Sequence, residues 1–151
     1  MKSLIVYTSF HHQNTEKIAK EIGAVLNADL KKTNKVTTQD FSTYDLIGFG
    51  SGIYLGKHHK QLFSLIKKVK AVENKKAFIF STRGMPWVGN WYHRELRKLL
   101  KEKGFRILGE FSCLGFDTNG ILKKIGGIAK GHPDKNDCKQ ARTFAKQLLQ
   151  D

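Results

Sequence analysis

Short apolar runs alternate with amphipathic stretches from one end of the chain to the other, and that rhythm constrains the fold more than any single residue does. Residues 4–8, 45–50, 77–81 and 105–112 read as strands, with a weaker one over 28–33. Between them lie helical patterns. Ile18, Ile22, Val25 and Leu26 share one face of a helix over 15–26, and Leu62, Phe63, Ile66 and Val69 one face over 61–69. Tyr92, Leu96, Leu99 and Leu100 share a face over 92–103, which Gly104 ends, and Ala141, Phe144, Ala145 and Leu148 belong to a last helix capped by Asn136 or Asp137. Strand–helix alternation implies right-handed crossovers and a mostly parallel, doubly wound α/β sheet with helices on both faces.

Residues 1–151 are expected to form a single domain around one core, since 40% of them are hydrophobic and there are only 2 prolines. No apolar run is long enough to span a membrane. Cys113 and Cys138 make no metal or redox spacing, so free thiols in a reducing cytoplasm are expected. The 27 Lys and Arg against 13 Asp and Glu give +14, a field that draws acidic proteins, nucleotides or nucleic acid. The lysines are dispersed through helical patterns, and Lys60, Lys67, Lys68 and Lys70 fall on a solvent side.

Gly and small polar residues cluster after the strands, over 9–14, 51–56, 81–89 and 113–133. Open parallel sheets bind ligands at these carboxyl ends. The last connection is long enough to be either functional or disordered. In the first, backbone N–H groups at a helix start make an anion site, to which Ser9, Asn14 and Thr15 add donors; the same residues also suit an ordinary helix cap. Neither a Walker loop nor a dinucleotide glycine fingerprint is present.

Ile5-Val6-Tyr7-x-Ser9 followed by Thr15-x3-Ala19-x2-Ile22 resembles the phosphate-loop signature of the flavodoxin family. The resemblance continues through Gly50–Gly56, Phe80–Gly84, Gly109–Asp117 and the tail Gly127-x3-Lys130-Gly131-His132-Pro133, covering nearly the whole chain. It implies a flavodoxin-like five-stranded sheet in the order 2-1-3-4-5, FMN as cofactor and electron transfer as function. It also implies a phosphate cradle at Ser9, Phe10, His11, His12, Gln13, Asn14 and Thr15. The flavin ring would meet Ser51, Gly52, Ile53, Tyr54, Leu55 and Gly56, then Ser81, Thr82, Arg83, Gly84 and Trp87, then Gly115, Phe116 and Asp117. Tyr54 and Trp87 stand where stacking walls are expected, though Trp87 beside Pro86 also suits surface packing. The Leu55-Gly56 peptide corresponds to one that flips when the flavin is reduced, a change glycine makes at little cost.

The chain departs from the family pattern in two ways. Its first loop is one residue longer, with His or Gln where a small residue is usual, and it is basic where most flavodoxins are acidic. The charge points to acidic redox partner proteins and a monomer. His11-His12 and His58-His59 lack the spacing of a metal site. Cys113 is expected to be a packed thiol, and His132-Pro133 to shape the turn before the last helix. Two other functions compete. One is a flavodoxin-like oxidoreductase of the protoporphyrinogen oxidase type, passing electrons to quinone, which the stretch 51–63 resembles. The other is a flavin-free basic module binding RNA or acidic proteins.

Overall fold

The structure, a computed structural model, describes residues 1–10, 12–86 and 89–151. Five parallel strands form the sheet: β1 (Ser3–Thr8), β2 (Asp29–Lys32), β3 (Leu46–Tyr54), β5 (Lys75–Arg83) and β6 (Phe105–Leu114). A two-residue β4 (Lys57–His58) folds back antiparallel on the end of β3. The order β2-β1-β3-β5-β6 is 2-1-3-4-5 when the parallel strands alone are counted, as the flavodoxin-like topology requires. The side arm β4 is an addition.

Helices α1 (Asn14–Leu26) and α5 (Lys135–Leu148) cover one face, and α3 (Lys60–Lys68) and α4 (Arg94–Glu102) the other, while a short α2 (Asp40–Thr43) precedes β3. Strand alternation sends successive side chains to opposite faces. Val6, Phe49 and Ile79 meet Leu62, Ile66, Leu96 and Leu100 on the α3/α4 side. Tyr7, Phe78 and Phe80 meet Ile18, Ile22, Ala141 and Ala145 on the α1/α5 side. The rings of Phe78 and Phe80 lie over Gly48 and Gly50, where a Cβ would come within 2.2 and 2.1 Å of them. No helix among the described residues is long and apolar enough to cross a membrane.

Three boundaries differ from expectation. Strands β3, β5 and β6 run on through 51–54, 82–83 and 113–114, because parallel pairing such as Ser51 with Ser81 and Gly52 with Thr82 uses backbone groups and ignores side-chain polarity. The last helix is capped by Asp134, not Asn136 or Asp137: Asp137 N donates to Asp134 Oδ1 at 2.9 Å, and Asp134 N donates to Asp137 Oδ2 at 2.8 Å, a reciprocal capping box. His132 completes this turn through Nδ1 and Asp137 Oδ2 at 2.6 Å. The connection after β6 is folded rather than loose. It holds a 3-10 helix over Gly120–Ile125 and closes on itself by a bridge between Asp117 and Ile128. Gly104, at φ 91°, ends α4 as expected; a Cβ there would sit 1.8 Å from the Val72 carbonyl.

Candidate functional site

At the carboxyl ends of β1, β3, β5 and β6 lies a tight slit with about 30 Å³ of open volume. Twelve expected residues line it: Phe10, Asn14, Thr15, Gly52, Ile53, Tyr54, Thr82, Arg83, Gly84, Gly115, Phe116 and Asp117. Asn119 lines it too and was not singled out, since nothing in its local sequence marks it; the bridge from Asp117 to Ile128 brings it there. Small residues keep the walls close. A Cβ on Gly115 would come within 2.7 Å of Asn14 Nδ2, and one on Gly84 within 2.9 Å of Asp117 Oδ2. Tyr54 leans across Gly52, its hydroxyl 3.1 Å from where a Cβ would stand. Burial, with the negative charge of Asp117, raises the Tyr54 pKa, so the ring presents a neutral phenol.

The α1 end of the slit has the chemistry of an anion site. His12 and Gln13 are both left-handed, at φ 55° and 54°, and turn the chain abruptly into α1, whose Gln13 N-cap offers no side-chain bond. The donors can be counted. Ser9 Oγ accepts from Glu16 N at 3.2 Å and keeps its own proton to give. Thr15 Oγ1 and Thr82 Oγ1 are 2.9 Å apart, so one of their two protons lies between them and the other is left over. Asn14 spends one amide proton on the Phe116 carbonyl at 2.8 Å, which ties the first loop to the last. His12 packs on Phe116 and meets Thr118 Oγ1 at 3.0 Å, outside the slit lining. His11 and Trp87 lie outside the described residues.

Ser51 and Ser81 are fully buried and face away from the slit. They belong to a polar row on the α3/α4 side. Ser81 Oγ is 2.7 Å from His93 Nε2 and 2.8 Å from Ser112 Oγ, which accepts from Arg83 Nη1 at 2.8 Å. His93 Nδ1 lies 3.1 Å from Glu110 Oε2, and Arg97 grips both oxygens of Glu110. With a neutral His93, one arrangement satisfies every group: Arg83 donates to Ser112, Ser112 to Ser81, Ser81 to Nε2, and Nδ1–H to Glu110. Burial pushes the Glu110 pKa up, but the bonds from Arg97 and His93 outweigh it and bring it down to about 2. Beside this row, Ser51 Oγ is 2.8 Å from His58 Nδ1. Burial, and then His93, hold the His58 pKa well below the ordinary imidazole value. His58 Nε2 is buried with no hydrogen-bond partner. The row was legible had the alternation of Phe49 and Ile79 been carried two residues further along each strand.

Leu55 and Gly56 form the two-residue tip of the β3–β4 hairpin, at φ 50° and 77°. Both signs match a type I′ turn, for which a Leu is unusual. Leu55 is fully exposed, and neither tip residue lines the slit. Lys57, at the base of the tip, pairs with Glu95 at 3.2 Å. Cys113 and Cys138 are buried free thiols, and burial raises the pKa of both.

The family model described as a flavodoxin domain matches residues 4–114. An uncharacterized protein of Methanocaldococcus jannaschii is 56% identical over 149 residues, covering 99% of both chains. The flavodoxin-like domain-containing protein BilS of Clostridioides difficile is 27% identical, covering 99% of this chain and 97% of the relative. Among solved structures, a flavodoxin from the domain Archaea superposes with a TM-score of 0.74 at 17% identity, covering 99% of this chain and 97% of its own. Oxidised flavodoxin 2 from Bacillus cereus gives 0.74 at 19% identity and 99% of each.

Proposed function

The chain belongs to the flavodoxin family, and from that premise we propose that it binds FMN in the slit and carries electrons between acidic redox partners. The observation that carries this reading is a narrow slit at the carboxyl ends of the strands with unspent donors at the start of α1. A flat ring suits walls held together by Gly52, Gly84 and Gly115, and a phosphate suits the spare protons of Ser9 and the Thr15–Thr82 pair. When bound, FMN supplies reversible electron uptake; the protein supplies orientation and electrostatics.

Each contribution of the chain is specific. Tyr54, closed over Gly52, has to swing outward to admit a ring and then offers its face to it. Arg83 helps line the slit while its guanidinium is held by Ser112 in the buried row beside it, and Asp117 is the acid of the lining. The +14 charge steers acidic partners to the protein.

Titration of apo protein with FMN, FAD and riboflavin, followed by fluorescence quenching, tests the reading. Stoichiometric FMN binding, tighter than FAD, is expected; FAD binding more tightly, or no flavin binding at all, contradicts it. Electron transfer from an acidic donor protein should slow as salt rises, since charges beyond a Debye length of about 8 Å are screened at physiological ionic strength. A flat salt profile contradicts the acidic-partner half alone.

A further inference from the structure

Beside the slit, and sharing Phe10, Tyr54 and Asn119 with it, runs a larger groove of about 1040 Å³ between the β3–β4 hairpin and α3. We propose that this groove is a second ligand site, for an aromatic organic anion. It goes beyond the FMN reading and does not rest on it.

The floor and walls are aromatic. The His59 ring lies 4.8 Å from Phe10 and 5.3 Å from Tyr54, measured between centroids, and Phe63 lines the opposite side from α3. Flat apolar surface of this kind holds a ring by burial and by edge or offset stacking. Leu55, exposed at the hairpin tip, closes one end.

The rim is cationic. Lys60, Phe63 and Lys67 fall at i, i+3 and i+7 on α3 and so share one helical stripe. At about 1.5 Å rise per residue, the two lysines stand roughly 10 Å apart along the groove's edge. Neither has a carboxylate within 4.0 Å among the described residues. Lys57 faces them from the hairpin, and Glu95, the one acid in the lining, is already paired with it. Two cations beside an apolar wall, without anions of their own, match a ligand that brings the anion.

His58 is 3% exposed and lines the groove, and its Nε2 is buried without a partner.

The test uses two fluorescent probes of similar shape on the full chain, without flavin. Anilinonaphthalene sulfonate carries the negative charge; phenylnaphthylamine is its neutral counterpart. One sulfonate probe per chain is expected, bound about tenfold more tightly than the neutral one. In Lys60→Gln/Lys67→Gln that advantage should vanish, which is the sum of two exposed ion contacts beside an apolar wall. The same variant should bind the neutral probe and FMN as the parent does. Phe63→Ser should weaken both probes, with near-ultraviolet circular dichroism and cooperative unfolding retained, since loosely packed states also bind such dyes. Equal affinity for the two probes, non-saturable binding, an advantage that survives the lysine variant, or a signal that appears only as tertiary structure is lost would each overturn the proposal. Absence of FMN binding alone would leave it standing and fell only the flavin reading.

Discussion

Ser51 and Gly52 are neighbours in the chain, as are Ser81 and Thr82, yet the two members of each pair live in different environments. Gly52 and Thr82 open onto the slit, where side chains are small and donors are left over. Ser51 and Ser81 lie one residue back, turned to α3 and α4, where almost every polar atom is spent on a histidine, a serine or an arginine. One layer leaves donors unspent, and the other holds the strand ends that shape it. The difference shows that polar residues at a strand's carboxyl end do not all belong to the site; parity assigns them.

Acid should break the buried layer first. The Glu110 pKa is lowered to about 2 in the folded protein, against about 4.3 unfolded. A depressed carboxyl contributes stability that is full above the unfolded value and is lost as pH falls through the folded one, here about 3 kcal/mol between roughly pH 5 and pH 2. His58 acts in the same direction from higher pH. Its lowered pKa means that the unfolded chain takes up a proton first, so stability already declines as pH falls below about 6.5. Urea melts at pH 7.5, 5.5 and 4 should show midpoints falling at each step, and His58→Leu should remove most of the fall above pH 5.5. A midpoint constant from pH 7.5 to 4 would contradict both assignments.

His93→Leu tests the same layer at neutral pH. It leaves the Ser81 hydroxyl without its imidazole partner and removes one of the two donors to Glu110 Oε2, at a cost of about 2 kcal/mol in urea melts. FMN affinity should change by less than about threefold. A large loss of FMN binding with little change in stability would place His93 with the slit instead.

Thr15→Ala tests the other layer. Loss of a donor to a charged phosphate is worth about 1.5 kcal/mol, so FMN should weaken about tenfold while riboflavin, which lacks the phosphate, barely changes. Equal losses for both ligands would move the phosphate away from α1.

The smallest effect is expected at the hairpin tip. Gly56 has no close neighbour, with Tyr92 and Trp91 atoms at 3.7 Å or more from a built Cβ, but it sits at φ 77°. Gly56→Val should therefore cost about 1–2 kcal/mol through backbone strain alone, without a steric clash. Gly56→Ala should cost less, in the same melts; no loss in either would mean that the tip relaxes freely.

Alternating apolar patterns determined the class of fold, because burial of one stripe or one face is a local property of spacing. The ordered motifs of the loops, by resemblance, pointed to the family, the strand order and most of the slit lining. The sequence also determined Gly104 as a helix stop and Cys113 as a packed thiol, again because each depends on its own few neighbours. What only the tertiary structure decided depends on contacts between segments distant in sequence. His58 and His93 meet because β4 folds back on β3 beside the start of α4, with ring centroids 5.0 Å apart. Asn14 reaches Phe116, and Asn119 reaches the slit, only once the last connection closes on itself. The groove exists because Lys60 and Lys67, which spacing alone places on a solvent side, and Phe63, which it places on the apolar face, are together set opposite a hairpin tip. Hydrophobic spacing reports which way a side chain points within its own element, whereas a site depends on what another element places in front of it.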